Sequence, residues 1–473
     1  MKLDNLDSRC FLCGVKKSGF DTETRICGCV QPQGFPEKEL TCYVTILPEP
    51  LDYSASDLPS IWDAQPKDAF AAAVGDLGLH LEAAECPTKT ISPSCRFLPY
   101  GTDLLHDQHH LRCGNATIYR ALALEDVTGS DLVLVLDMGS YYGSGTLKDP
   151  RSWAIINTAL SQGITDLALW TAGNAGISLA KLAYFANRRL APAQRMQIHA
   201  IVDDDVAPEI RAQLRLWQSE VLDLFRQDRP VLNPQEIRSL VGTRLRRSRR
   251  VLDDNSYWHV TDGWDGVGLL MYRLIAAQVI RDLLGPGKNQ HCQPLDVVLP
   301  VGTGNLLLGF YLGLRDCEQA NLIPAGSCRL IGILPAGSNI LNNVRHRSIP
   351  KDDGSSANTA APVMPKLKSL YTPLAPCLAR IEQEGRVEFL IVTAANQLRA
   401  GRQILSSGID DGIVAEPSAL AAFAALPQLG NHDRRRIDNE RLDRCGRRTL
   451  VVNSGFGLLG GSEQELLHHA IGV

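Results

Sequence analysis

No apolar stretch in the 473 residues approaches the ~18 that a membrane-spanning helix needs. The start, MKLDNLDSRC, has neither a basic leader nor an apolar segment behind it, so a cytoplasmic protein with no membrane partner is expected. A basic excess is also missing. The formal net charge of -4 supplies no field for a phosphate backbone, and the short run from Arg244 to Arg250 reads as a solvated helix face, so no nucleic-acid partner is expected. Internal repeats and long low-complexity tracts are absent as well, which excludes solenoids and largely disordered chains. What the chain does have is 44% hydrophobic and 21% charged residues, enough to bury more than one core in two or three domains.

The thirteen cysteines run from Cys10 to Cys445 and lack the density of a secreted disulfide scaffold. Five fall within the first 42 residues. Cys10-Phe11-Leu12-Cys13-Gly14 has the spacing of a zinc knuckle, in which two thiolates turn toward one tetrahedral metal. Cys27-Gly28-Cys29 has one intervening residue, a poor spacing for paired ligation, so Cys42 is a further candidate ligand. A structural zinc on Cys10, Cys13, Cys27 and Cys29 therefore stands beside the alternative of reduced, partly buried thiols.

Residues 1–95 read as an irregular appendage carrying the cysteines, with a helix over Pro66 to Val74. From about Asn115, short Val, Ile and Leu runs alternate with helical patterns, which predicts βαβ units around a buried parallel sheet. The strand candidates are Leu132 to Leu136, Asp166 to Trp170, Gln197 to Val202, Asp296 to Pro300, Arg329 to Leu334 and Leu450 to Asn453. Pro350 to Pro365 and Asn431 to Arg448 read as exposed insertions. Ligands of open α/β sheets sit outside the carboxyl ends of the strands, so the loops there are the place to seek a site.

The first such loop, Gly143 to Pro150, ends in Lys148 at a helix start. A helix dipole disfavours a cation there, and an amine that loses its proton is what attack on an aldehyde requires. A lysine exposed beside a cap would look the same. Thr171-Ala172-Gly173-Asn174-Ala175-Gly176 combines close backbone approach with an amide donor, or is simply a capping turn before a helix from Ile177 to Asn187. Pro300-Val301-Gly302-Thr303-Gly304-Asn305 leads into a helix from Leu306 to Arg315 and forms a nest suited to phosphate. Read as a dinucleotide fingerprint it fails, because the third glycine comes only at Gly309. Val414-Ala415-Glu416-Pro417-Ser418 opens an Ala-rich helix, and the strand ending at Asn453 runs into Ser454-Gly455-Phe456-Gly457.

Taken in order, these five segments resemble the fold type II (tryptophan synthase β-like) pyridoxal-phosphate enzymes over roughly residues 95 to 465, in the threonine synthase-like branch. The resemblance implies two open, mostly parallel α/β domains with the cofactor between them. The large domain would take 96–147 and 261–473, and the smaller one, with the Asn-Gly loop, 148–260. It implies that Lys148 holds pyridoxal phosphate as a Schiff base and later moves the substrate's α-proton. Asn174 would bond the cofactor's 3-hydroxyl, and Gly302, Thr303, Gly304, Asn305 and Leu306 would cradle the phosphate. Ser454 would face the pyridine nitrogen, and Glu416 would lie near the cofactor rim; a capping serine and a carboxylate at a helix start are the plainer readings of those two.

The implied reaction is elimination or replacement at Cβ or Cγ of an amino acid, with an O-phospho-amino acid as the favoured substrate and a homodimer as the assembly. Departures from the family pattern are Pro150 after the Lys-Asp pair, Tyr141-Tyr142-Gly143 before the lysine, and Asn115-Ala116-Thr117-Ile118-Tyr119 without a proline after the threonine. The last, with Arg96 to Tyr100, is similar to cysteate synthase; a catalytically silent cofactor-binding relative is the other alternative.

Overall fold

The computed structural model describes residues 8–17, 43–45, 117–121, 124–125, 132–139, 144–161, 163–188, 190–203, 206–224, 257–260, 266–285, 294–336, 338, 340, 367, 372, 374–411, 415–429 and 448–455. The expected helix at Pro66 to Val74, the basic run at Arg244 to Arg250 and the 350–365 insertion lie outside them, as do Cys27, Cys29 and Cys42. The chain groups into two compact units, residues 1–115 with 141–271, and residues 116–140 with 272–473.

In the first unit, strands β1 (Ser8–Cys10), β2 (Lys16–Lys17) and β3 (Tyr43–Thr45) form an antiparallel sheet in the order β2-β1-β3. This part of the appendage is thus regular where the composition suggested irregularity. The main sheet of the unit is parallel, with β6 (Asp166–Trp170), β7 (Gln197–Asp203), β8 (Glu220–Leu224) and β9 (Tyr257–His259) in the order β8-β7-β6-β9. Helix α1 (Lys148–Ser161) precedes β6, α2 (Asn174–Asn187) follows it, and α3 (Pro208–Leu216) links β7 to β8. Helices α1 and α2 pack on one another.

The second unit holds a six-stranded sheet in the order β12-β11-β10-β13-β5-β4. Its strands are β4 (Thr117–Arg120), β5 (Leu132–Asp137), β10 (Leu295–Pro300), β11 (Cys328–Pro335), β12 (Val387–Val392) and β13 (Arg448–Asn453). All pairs are parallel except the edge pair β4 and β5. Every residue of β10 is buried, as expected of a parallel strand covered on both faces. The helices are α4 (Gly266–Leu284), which belongs to this unit from Tyr272 onward, α5 (Asn305–Gln319), α6 (Ala375–Gln383), α7 (Ala394–Asp411) and α8 (Leu420–Ala424). The α/β class with largely parallel sheets agrees with the sequence reading.

All six predicted strands are present. Seven further strands, β1 to β4, β8, β9 and β12, went unpredicted. Glu220-Val-Leu-Asp-Leu and Val387-Glu-Phe-Leu-Ile-Val mix acidic residues into apolar runs, which hides a strand paired along one side only. Two helices also begin earlier than their apolar patterns, at Asn174 and Asn305. Polar residues can occupy a first turn whose N–H groups need partners anyway.

Candidate functional site

Both main sheets have a topological switch point, and the predicted loops after β6, β10 and β13 start there. In the second unit the chain leaves β10 toward β11 and β12, then returns to form β13 on the other side of β10. The parallel register sets Val298 beside Val451, so Pro300 and Asn453 end level with each other and the loops after them open from one end of the sheet. In the first unit β7 and β8 lie on one side of β6 and β9 on the other, and the Thr171–Gly173 loop leaves β6 at that divide.

The loop after β10 is built for a ligand that accepts hydrogen bonds. Helix α5 begins behind Gly304 and carries no side-chain cap, so the N–H groups of its first turn have no partner within the helix. Gly304 has φ +91, and a Cβ there would lie 2.6 Å from Leu378 Cδ1, so both conformation and space demand glycine. Asn305 is 3% exposed, and neither its Oδ1 nor its Nδ2 has a hydrogen-bond partner among the described residues. Burying an unsatisfied amide costs about 1 to 3 kcal/mol, which a bound group would recover. The loop is braced from behind: Thr372 Oγ1 donates to the Thr303 carbonyl while accepting the Leu374 N–H at 3.1 Å. The late glycine of the failed fingerprint has a packing role, since a Cβ on Gly309 would meet Tyr272 of α4 at 2.5 Å.

Around β13, Ser454 is buried and Asn453 Oδ1 accepts the Gly455 N–H at 3.3 Å. The Glu416 N–H donates to the Gly455 carbonyl at 2.8 Å, and Glu416 itself is buried. The second unit therefore brings together the phosphate-type loop (Gly302, Thr303, Gly304, Asn305, Leu306), Ser454 and Glu416 at the carboxyl end of its central strands and the segment bonded to it.

The first unit holds the remaining pair. Lys148 is half-buried at the start of α1, with its N–H bonded to Thr146 Oγ1 at 3.3 Å. Asn174 is the first residue of α2. The turn before it is pinned by Thr171, whose Oγ1 accepts the Gly173 and Gly176 N–H groups at 3.1 and 3.0 Å. Next to Lys148, Asp149 is completely buried. Its carboxyl accepts bonds from the Ser144 hydroxyl and, at 2.6 Å, from the Ser178 hydroxyl of α2. Burial pushes this carboxyl up to about 7, against the opposing pull of the Ser178 bond, the Lys181 charge and the Ser144 N–H. Burial also pulls the Lys181 amine down, with Asp149 opposing, and its Nζ lies 5.4 Å from the centre of the Trp217 ring. Sequence reading missed Asp149, Ser178 and Lys181, because nothing local marks a carboxylate or an amine that a neighbouring helix will cover.

Of the predicted metal ligands, Cys10 and Cys13 are described. The Cys13 N–H points at Cys10 Sγ at 3.5 Å, the Gly14 N–H bonds the Cys10 carbonyl at 2.9 Å, and Cys10 is buried while Cys13 is exposed. Among the described residues no three metal-ligating side chains converge, and none of their helices is long and apolar enough to cross a membrane.

The family model for pyridoxal-phosphate dependent enzymes matches residues 111–455. No curated protein matches the chain in sequence. Among solved structures, O-ureido-L-serine synthase superposes with a TM-score of 0.52 at 15% identity, covering 75% of this chain and 92% of its own. The serine racemase of Dictyostelium discoideum gives 0.52 at 12% identity, covering 73% and 93%. A fungal L-serine ammonia-lyase from Rhizomucor miehei gives 0.53 at 15%, covering 74% and 96%. At these identities the likeness is one of fold.

Proposed function

Because the chain belongs to the pyridoxal-phosphate-dependent enzyme family, we propose that it acts on an amino acid by elimination or replacement, with Lys148 as the lysine that bonds the cofactor. The observation that carries the cofactor's placement is the loop after β10. An uncapped helix start, a glycine whose Cβ has no room and a buried, unsatisfied Asn305 amide together suit a phosphate. Bound pyridoxal phosphate supplies a sink for the electrons left behind when a substrate's α-proton departs.

The residues divide the rest of the work. Lys148, half-buried at the start of α1, would hold the cofactor through its Nζ and would serve as the base for the substrate's α-proton. The Asn174 amide donates to the 3-oxygen of the ring. Gly302, Thr303, Gly304, Asn305 and Leu306 hold the phosphate, and Ser454 offers a hydroxyl to the pyridine nitrogen. A hydroxyl can donate to that nitrogen but cannot keep a proton on it, unlike a carboxylate. This favours expulsion of a leaving group over return of the proton to Cα. Glu416, whose N–H bonds the Gly455 carbonyl, would lie near the cofactor rim. We assign the chain to the threonine synthase-like branch, with an O-phospho-amino acid as substrate and a cytoplasmic homodimer as the assembly.

The test has two stages. Borohydride reduction of the purified protein should bleach its visible band, and peptide mapping should find the pyridoxyl group on Lys148; a label elsewhere defeats the assignment. Incubation with O-phosphohomoserine should then release phosphate and form threonine. Phosphate release from O-phosphoserine with sulfite, giving cysteate, would move the chain to the cysteate synthase-like reading. Racemisation of serine without any leaving-group loss would remove it from both.

A further inference from the structure

Asp149 is an expensive residue to place where it is. A carboxyl with no exposure costs several kcal/mol in desolvation unless donors face it, and an apolar side chain would join two packed helices more cheaply. The donors here come from two directions. Ser144, in the turn before Lys148, offers its hydroxyl and its N–H, the latter at 3.4 Å. Ser178 Oγ lies 2.6 Å from Asp149 Oδ1 and 2.9 Å from Ser152 Oγ; having one proton, it donates to the carboxyl and accepts from Ser152. Ser178 sits on α2 one turn beyond Asn174, on the same face.

We propose that Asp149 is a positioning residue that locks the Lys148 turn against α2 and thereby sets Lys148 relative to Asn174. The inference rests on the assignment of both residues to the cofactor made above. The charged group that acts on the carboxyl through space is Lys181 on α2, and Lys148 and Arg151 flank it in the sequence of α1. With the carboxyl held up to about 7, the lock gains and loses a proton in the neutral range, and its hydrogen bonds tighten when the proton leaves.

The full chain, freed of cofactor, is mixed with pyridoxal phosphate. Growth of the visible band of lysine-bound cofactor is followed between about pH 6 and about pH 8, alongside total cofactor bound. Asp149→Asn should bind as much cofactor as the parent yet load it onto the lysine about tenfold more slowly, since small misplacements of a reacting group are costly. It should also lack the parent's step in rate near pH 7. Ser178→Ala keeps the carboxyl but removes the α2 donor, so it should slow loading and move the step upward. Parent-like rates and pH profiles in both variants overturn the proposal; should Asp149→Asn fail to fold, Ser178→Ala decides alone. Peptide mapping of the reduced parent separates the layers. Pyridoxyl on another lysine overturns the Lys148 assignment and this inference with it, whereas a label on Lys148 with parent-like variants overturns the role of Asp149 only.

Discussion

At the amino ends of their strands, the two main sheets carry the same device in different materials. In the first unit the wholly buried ring of His199 on β7 bridges Asp166 on β6 and Glu220 on β8, each at 2.8 Å. In the second, Arg329 on β11 reaches Asp296 on β10 with two bonds of 2.9 and 2.7 Å and Glu388 on β12 at 3.1 Å. One bridge is made by a titratable ring and the other by a permanent cation. The contrast repeats at the carboxyl ends. In the first unit the residue after the candidate lysine is a buried carboxyl that the desolvated Lys181 amine opposes from α2, while the second unit lines its loop with backbone donors and one neutral amide. A buried carboxyl near neutrality and an uncapped, glycine-built loop thus belong to different units.

The sharpest way to break that division is to exchange the two amines of the first unit. Lys148→Ala should abolish borohydride-fixed cofactor and lower turnover by at least about 10³-fold, as loss of a covalent catalyst does. Lys181→Ala should leave the label in place. A label that disappears with Lys181 instead, read by mass spectrometry, would reassign the site.

Next in size is the anchoring loop. Gly304→Asp should weaken cofactor binding about 100-fold, or about 2.7 kcal/mol, by setting a carboxylate against the phosphate. From sequence alone, stability would be expected to suffer less than affinity. The positive φ and the Leu378 side chain 2.6 Å away add a folding cost of about 1 to 3 kcal/mol, visible as a lower Tm without cofactor. Asn305→Ala separates the two effects. Affinity should fall about tenfold while the cofactor-free protein gains about 1 kcal/mol, because an unsatisfied buried amide has been removed. Reduced stability without cofactor would show that the amide has a structural partner.

A smaller effect distinguishes the units by pH. The Asp149 carboxyl is held above its ordinary 3.8 in the folded chain, at about 7, so the native state keeps a proton that the unfolded chain gives up. Its contribution is therefore full at low pH and is lost as pH rises, by about 1.4 kcal/mol between about pH 6 and about pH 8. Asp149→Asn should flatten that part of the stability profile measured by urea titration; an unchanged slope would place the titration elsewhere. The smallest expected effect on the two main sheets comes from the appendage. If Cys10 and Cys13 are half of a zinc site, the protein should carry about one zinc, and Cys10→Ser should lose it with little change in cofactor binding. A parent protein without zinc by elemental analysis leaves the reduced thiols as the reading.

The legible part of this protein was its local chemistry. Each of the three glycine loops announces itself by an apolar, Leu-containing strand before it and an apolar helical period after it, and both features follow from a few adjacent residues. The edge strands β8 and β12 were illegible because their acidic residues interrupt the apolar run, and pairing across the sheet, not propensity, makes them strands. The early starts of α2 and α5 were hidden for a related reason: asparagine is a weak helix former that a first turn tolerates.

The sequence by itself determined the α/β class, the order of the candidate loops and the identity of the residues in them, since these depend on short-range periodicity and on glycine's conformational freedom. Tertiary structure alone decided which residues lose their water. Asp149 and Asn305 look like ordinary polar residues at helix starts, and only the packing of α2 on α1 and the burial around α5 turn one into a carboxyl poised near neutral pH and the other into an unsatisfied amide. Desolvation depends on every neighbour in three dimensions, and those neighbours lie tens of residues away along the chain.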